Sequence, residues 1–302
     1  MTTLPEARVG EPIRHESLSV FPLFTPANGS VDYLLADEAL AAGTVTVSEV
    51  GESGSVPDLL VENTGDSRVL FIEGEELRGA KQNRVLNTSV LVAAHGKTTI
   101  PVSCVEQGRW RYRSRQFGHG GTHSSSKLRH ILKKSVTRSA LEGQGHGSDQ
   151  GEVWREVGRQ MASLGSASET MAMSDTYDSY QTRMEEFRQR LGYVEGATGL
   201  AVAVGQSVVA LDLFDKPSTC AKVWDRLLSG VVMDALEAPA EQARLDGDVV
   251  KQALAVLRDA PWQQTQAVGA GEEYRAQLEG DRHASALTCG GAPVHVSLVL
   301  AG

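Results

Sequence analysis

Short alternating or fully apolar runs dominate the first third of the chain, and longer helical stripes follow. Ser17–Phe24 is mostly apolar and broken by Pro22, which predicts an edge strand or a bend. Val31–Ala42 predicts a short helix ending near Gly43. Thr44–Val50 alternates, with Val45, Val47 and Val50 apolar. Leu59–Glu62 and Arg68–Glu73 flank Asn63-Thr64-Gly65-Asp66-Ser67, the turn chemistry of a hairpin. Val85–Val92 and Lys97–Glu106 form a second such pair around Ala94-His95-Gly96. Val69–Ile72 is apolar on both faces, which predicts a central strand covered on both sides.

The period then changes. Gln116–Ser126 is rich in Gly, His and Ser with almost no apolar content, and is expected as a mobile loop. Ser126 is expected to cap a basic helix, Lys127–Leu141, with Leu128, Ile131, Leu132 and Val136 on one side. Glu142–Ser148 reads as a Gly-rich linker. Asp149 and Glu152 stand in capping-box spacing ahead of Val153, Trp154, Val157 and Met161. Tyr177, Tyr180, Met184, Phe187 and Leu191 form a core-facing helical stripe. Gly199–Val204 and Val208–Phe214 flank Gly205-Gln206 as a hairpin. Pro217 opens a helix running to Leu236, and Asp248–Asp259 is another. Trp262–Ala301 reads as three or four short strands with Gly290-Gly291 as a turn.

Strands at the start, middle and end with helices between give an α+β class rather than a regularly alternating α/β fold. The N-terminal part is antiparallel and β-rich, the middle is helical, and the C-terminal part is a small antiparallel sheet. Three segments are expected: 1–110 as a β-rich lobe, 111–148 as a basic, Gly/Ser-rich flexible segment with a helix, and 149–302 as an α+β lobe packed into one compact unit. The 302 residues suffice for a large core, and no apolar run reaches the length of a membrane span. Met-Thr-Thr-Leu-Pro-Glu at the start lacks a basic stretch followed by an apolar one, so no signal peptide is expected. Cys104, Cys220 and Cys289 are too few and too scattered for a disulfide framework or a zinc site, and a cytoplasmic location follows.

The net charge is −9. Between Glu106 and Glu142 there is no acid, yet nine basic residues: Arg109, Arg111, Arg113, Arg115, Lys127, Arg129, Lys133, Lys134 and Arg138. Such a window predicts an anionic ligand or an internal partner for acidic surfaces. The acidity of the whole chain disfavours nucleic acid.

Two segments concentrate chemistry. Glu73–Arg84 packs three carboxylates and three cations into a connection between apolar strands. Glu73 and Glu75 are candidate general bases. Lys81 and Arg84 suit a phosphate or carboxylate, Arg as a fork and Lys as a point charge. Gln82 and Asn83 suit an amide or a sugar hydroxyl. Ser103–Trp110 adds Ser103, a third candidate catalytic carboxylate in Glu106, a guanidinium in Arg109 and a stacking surface in Trp110, with Tyr112 and Phe117 nearby. The competing reading of both segments is a salt-bridge network around a packed Trp. Cys104 is a weaker candidate nucleophile. His119 and His123 lie in the Gly/Ser run, where metal binding is not expected. Asp215 is expected as a helix cap, and Asp212 has no assigned role. Walker, Gly-x-Ser-x-Gly, His-Glu-x-x-His and Rossmann signatures are all missing.

The block Phe71–Arg84 resembles the hallmark of a prokaryotic family named for its association with ADP-ribosylglycohydrolase, rhodanese and phosphatase domains, the ARPP family. Ile100–Trp110, Asp149–Trp154 and Leu211–Asp215 fit the same family, so the resemblance spreads from about residue 60 to residue 236. It implies a setting in NAD and ADP-ribose metabolism, without a defined reaction or cofactor. Carried onto this chain, it points to Glu73, Glu75, Lys81, Gln82, Asn83, Arg84, Ser103, Glu106, Arg109 and Trp110.

Two functions follow. In the first, the chain binds or processes a nucleotide-type anion such as ADP-ribose, and the two segments must then share one site. In the second, it is a non-catalytic interaction module whose charged segment is structural and whose basic window docks a protein or RNA. Membrane partners are not expected, and nothing in the sequence fixes an oligomeric state.

Overall fold

A computed structural model of the protein describes residues 4–26, 29–51, 53–239 and 245–300. In chain order the elements are β1 (Arg8–Val9), β2 (Ile13–His15), β3 (Leu18–Phe24), β4 (Tyr33–Leu35), α1 (Ala36–Ala41), β5 (Val45–Glu49), β6 (Asp58–Asn63), β7 (Arg68–Phe71), β8 (Glu75–Gly79), β9 (Arg84–Leu86), β10 (Val90–Val92), β11 (Lys97–Cys104), β12 (Phe117–His123) and α2 (Ser126–Leu141). There follow α3 (Gln150–Ser163), α4 (Met173–Ser179), α5 (Gln181–Arg190), β13 (Gly199–Val204), β14 (Ser207–Phe214), α6 (Pro217–Glu237), α7 (Gly247–Arg258), β15 (Gln263–Thr265), β16 (Glu272–Leu278), β17 (Arg282–Cys289) and β18 (Ala292–Val299). The class is α+β, with mostly antiparallel sheets. No helix among the described residues is long and apolar enough to cross a membrane.

The largest sheet runs β1-β3-β13-β14-β18-β17-β16-β15, with β2 also beside β3. Strand β14 shows how it is covered. Leu211 and Leu213 face the apolar cluster that includes Val250 and Leu257 of α7, whereas Phe214 faces the cluster of α6 residues Val223, Trp224 and Leu227. Asp212 shares the Phe214 face, because neighbouring side chains alternate. Strands of the first hundred residues therefore join the C-terminal sheet. β3 is an interior strand, not the edge that Pro22 suggested. The Pro22 carbonyl accepts from Gly10 N at 2.8 Å, between β1 and β2, so the missing N–H faces a break in the pairing.

A six-stranded sheet, β12-β8-β9-β11-β6-β5, and a three-stranded one, β10-β7-β4, enclose a second core that includes Val47, Val61, Phe71, Leu86, Val90 and Ile100. β7 is central in its sheet, as its two apolar faces predict. The first expected hairpin does not close, and the second pairs only through its outer part, β9 with β11 at Leu86↔Val102 and Val85↔Ser103. β6 pairs with β11 and β7 with β10, so each turn crosses from one sheet to the other. Asn63 joins the two corners, its side-chain amide donating to Ser67 O at 2.8 Å and Ala93 O at 2.9 Å.

Gln116–Ser126 is not a loop. Its core is β12, paired with β8 and bulged between His119 and His123. One of its glycines reflects close packing: a Cβ on Gly120 would lie 2.9 Å from Glu76 O. The helix expected over Val31–Ala42 is split into β4 and α1, with Glu38 accepting from Leu35 N at 2.9 Å. The Tyr177–Leu191 stripe is core but breaks at Tyr180 into α4 and α5. The Asp149 cap, the Pro217 start, the β13–β14 hairpin and the C-terminal strands form as expected. Ser125 rather than Ser126 caps α2. Asp215 does not cap α6; Lys216 holds that position, and Asp215 accepts from the Tyr33 hydroxyl.

Candidate functional site

Glu73–Arg84 is the β8–β9 hairpin with its entry turn, folded into the middle of the molecule rather than over its surface. Gly74, at φ 81°, makes the turn out of β7, and a Cβ there would lie 2.5 Å from His123 Cε1. His123 in turn has Nε2 2.7 Å from Glu73 O. Every residue from Glu73 to Leu77 is buried, as are Lys81 to Arg84. Buried charges persist only when paired, so the partners decide what each residue is free to do.

Glu73 enters a sealed network between α2 and the large sheet. It pairs with Lys133 Nζ, lies 3.6 Å from Arg129 Nη2, and accepts from Ser285 Oγ at 3.1 Å. Arg129 grips Asp212 through both terminal nitrogens at 2.9 and 2.6 Å, and His295 Nε2 stands 3.1 Å from Asp212 Oδ1. Burial alone pushes the Glu73 pKa up, but the Lys133 and Arg129 charges more than reverse it and hold it far below the usual carboxylate range. Asp212 is depressed in the same way, burial being overcome chiefly by Arg129. The cavity at Glu73, Arg129 and Lys133 is only about 10 Å³, room for no organic ligand.

Glu75 points to α6, with Arg226 Nε at 3.0 Å from Oε1, and accepts from Ile72 N at 3.1 Å. Burial raises its pKa, Arg226 and His119 lower it more strongly, and the result is about 2. Glu76 takes Arg78 Nε at 2.8 Å and Thr122 Oγ1 at 2.7 Å.

The second segment docks on the tip of this hairpin. Glu106 accepts from Asn83 N at 3.0 Å and holds Arg109 bidentately at 2.7 and 2.6 Å. Arg109 also donates to Ala80 O at 2.7 Å and to Arg111 O at 2.9 Å. Gln82 Nε2 reaches Glu106 O at 2.9 Å, and Asn83 Nδ2 reaches Ser174 Oγ at 3.1 Å. The structure thus brings together Lys81, Gln82, Asn83, Arg84, Glu106, Arg109 and Trp110. Ser103 faces away along β11, donating to Asn87 Oδ1 at 2.6 Å. Glu73 and Glu75 lie apart, each in its own ion-pair cluster.

One residue in this group is not satisfied. Arg84 is fully buried, forms no ion pair among the described residues, and donates only through Nη1, to Gln82 Oε1 at 3.3 Å and Asn83 O at 3.4 Å. Its Nε and Nη2 have no hydrogen-bond partner. Burial pushes its pKa below the ordinary guanidinium value. Above it sits Trp110, 47% exposed, with its ring centroid 5.8 Å from the guanidinium carbon. Lys81 Nζ lies 5.3 Å from that ring and 5.0 Å from the ring of Tyr112. Cys104 completes the floor, its Sγ 3.2 Å from Gln82 Oε1. Burial pushes the Cys104 thiol's pKa up in spite of Arg84, so the resting sulfur is protonated. Arg111, Arg113 and Arg115 extend from the same loop into solvent.

A family model described as the ARG and Rhodanese-Phosphatase-superfamily-associated Protein domain matches residues 6–299. The chain belongs to that family. No curated protein and no solved structure matches it. The ARPP family name records an association with ARG and rhodanese–phosphatase superfamily proteins and assigns no reaction. Since the family match spans nearly the whole chain, hairpin β8–β9, α2 and the large sheet all fall within one family unit.

Several partners escaped the sequence reading. The basic window allowed Arg129 and Lys133 an internal acidic partner without naming one; they are four apart on α2 and point inward with Leu132 and Val136. That spacing, in phase with the apolar stripe, was the available signal. Arg226 and His295 carried none, because nothing local marks a long-range ion-pair partner.

Proposed function

We propose that this protein binds a nucleotide-type anion, with ADP-ribose as the first candidate, at the corner of Lys81, Gln82, Arg84, Trp110 and Tyr112. The observation that carries this reading is the unpaired Nε–Nη2 edge of buried Arg84. That edge is a two-donor fork matched to one phosphate or carboxylate, and buried donors lacking acceptors are costly to keep without such a use. Trp110 and Tyr112 supply flat surfaces for a base, and Arg111, Arg113 and Arg115 draw an anion toward them.

In this reading the ligand shifts the exposed Trp110 ring and meets Arg84 beneath it, while Asn83 and Arg109 hold the hairpin tip against the loop. Glu73, Glu75 and Glu106, each engaged in ion pairs, maintain the frame instead of moving protons. The family's association with ARG proteins is in keeping with an ADP-ribose ligand. The test is a thermal-shift panel of ADP-ribose, NAD, ADP and inorganic phosphate. A ligand that binds only the native state at one hundred times its Kd raises stability by about 2.7 kcal/mol. No shift with any of the four contradicts the proposal.

A second reading is favoured by the exposed Arg111, Arg113 and Arg115, which suit a polyanion better than one small molecule. RNA binding that weakens steeply with salt, without any nucleotide effect, would support it.

A further inference from the structure

Across the molecule from the Arg84 corner, α2 meets the turn between β16 and β17. His130 on α2, with Asp281 and His283 at the turn, place one ligand atom each within 4.8 Å of one another. His130 Nε2 lies 3.6 Å from Asp281 Oδ2, and His283 Nε2 lies 3.1 Å from Asp281 Oδ1. The two imidazoles are 5.6 Å apart, centroid to centroid. The two carboxylate-to-imidazole spacings run to different oxygens of Asp281, one facing each imidazole. A tetrahedral ion with bonds of 2.0–2.1 Å sets its ligand atoms about 3.3 Å apart, so the three groups must draw in from their present spread of up to 4.8 Å.

The three groups are also anchored for the task. His283 is 2% exposed at the start of β17, and His130 is held on a regular helix turn. Asp281 adopts a left-handed φ of 53° directly after Gly280, an uncommon conformation for a residue with a side chain. Asp281 Oδ2 now accepts from Lys134 Nζ at 2.8 Å and His130 Nε2 lies 2.6 Å from Asp281 O, so an ion must displace one exposed ammonium and break one imidazole–carbonyl contact. The other three-residue group, His15, Glu16 and Glu186, differs in kind. Arg183 already joins both of its carboxylates.

We propose that His130, Asp281 and His283 form a site for a divalent first-row transition ion of the zinc class, joining α2 to the β16–β17 turn. Two imidazoles and a carboxylate suit such an ion, and three protein ligands leave a fourth position for water or a further ligand. Binding would tie the helix that carries Arg129 and Lys133 to the sheet that carries Ser285. It is independent of the nucleotide reading.

The experiment is calorimetric titration of Zn²⁺ into the chelator-stripped full-length protein, with Co²⁺ visible absorption as a second readout of tetrahedral geometry. The expected result is one site of micromolar affinity, weakened at least tenfold in H130A and in H283N. Lys134→Ala, which removes the competing ammonium, should tighten it several-fold. Circular dichroism identifies any variant that fails to fold, and folded H130A then decides. The proposal is overturned if wild-type protein binds no Zn²⁺ at 100 μM, or if folded H130A binds as tightly as wild type.

Discussion

The guanidinium carbon of Arg84 lies 5.8 Å from the ring centroid of Trp110, and the two residues differ in every other respect. Arg84 is fully buried with two nitrogens lacking partners, while Trp110 is 47% exposed. A cation with two unpaired nitrogens beneath a solvent-facing ring defines the corner around which the functional reading is built. The first consequence concerns stability. An unsatisfied buried donor costs about 1–3 kcal/mol. Arg84→Met keeps the volume and removes the charge, so urea denaturation of the ligand-free protein should show it more stable by about 1–3 kcal/mol. A loss of stability in R84M would mean that the guanidinium already has the interactions it needs.

Glu73 and Lys133 should behave as one unit. Removing one member of a buried pair leaves the other charge uncompensated, at a cost of about 3–5 kcal/mol. Glu73→Gln and Lys133→Met are each expected to destabilise by that order, and the double variant by clearly less than the sum. A coupling energy below about 0.5 kcal/mol in the double-mutant cycle would show them to be independent.

Acid should unfold the protein through its ion-paired carboxylates. The folded pKa of Glu75 is about 2 against an ordinary 4.5. Such a group contributes stability above its unfolded pKa, and that contribution is lost as pH falls through the folded value. Glu73 and Asp212 are depressed in the same direction. Stability in urea is therefore expected to hold between pH 7 and pH 5 and to fall steeply below about pH 4. A flat profile down to pH 3 would contradict the pairing described for all three.

Gly74 turns the chain into β8 at φ 81°, with the His123 ring where a Cβ would stand. Gly74→Ala should cost about 2 kcal/mol or more, from backbone strain and displacement of His123. A loss under about 0.5 kcal/mol, measured by thermal and urea melts, would show the turn to be adaptable.

Much of this architecture was legible from local pattern. The Asp149 cap, the Pro217 start, the β13–β14 hairpin and the C-terminal strands depend on residues close in sequence, and they formed as read. Misreadings arose where distant contacts overruled local ones. Asn63–Ser67 has hairpin chemistry, but β6 and β7 join different sheets because their partners β11 and β10 come from further along the chain. Gly118–Gly121 has no apolar residue and so passed for a loop, although it pairs with β8 and Gly120 packs against the Glu76 backbone. The two charged segments meet at the hairpin tip, as the nucleotide reading required, but Glu73, Glu75 and Ser103 lie outside that meeting. Which of their charges would be left without a partner was not legible, because Arg84 and Arg109 look alike in sequence and differ only in the acceptors the fold brings to them.

Titration of ADP-ribose into wild-type protein, R84M and W110F by isothermal calorimetry, with tryptophan fluorescence followed in parallel so that the W110F difference isolates Trp110 emission, tests the central claim most directly. Saturable binding by wild type with a change in Trp110 emission, lost in a folded and more stable R84M, is the expected result. Binding of equal strength in R84M, or none in wild type, would contradict the assignment of Arg84 as the anion-binding residue.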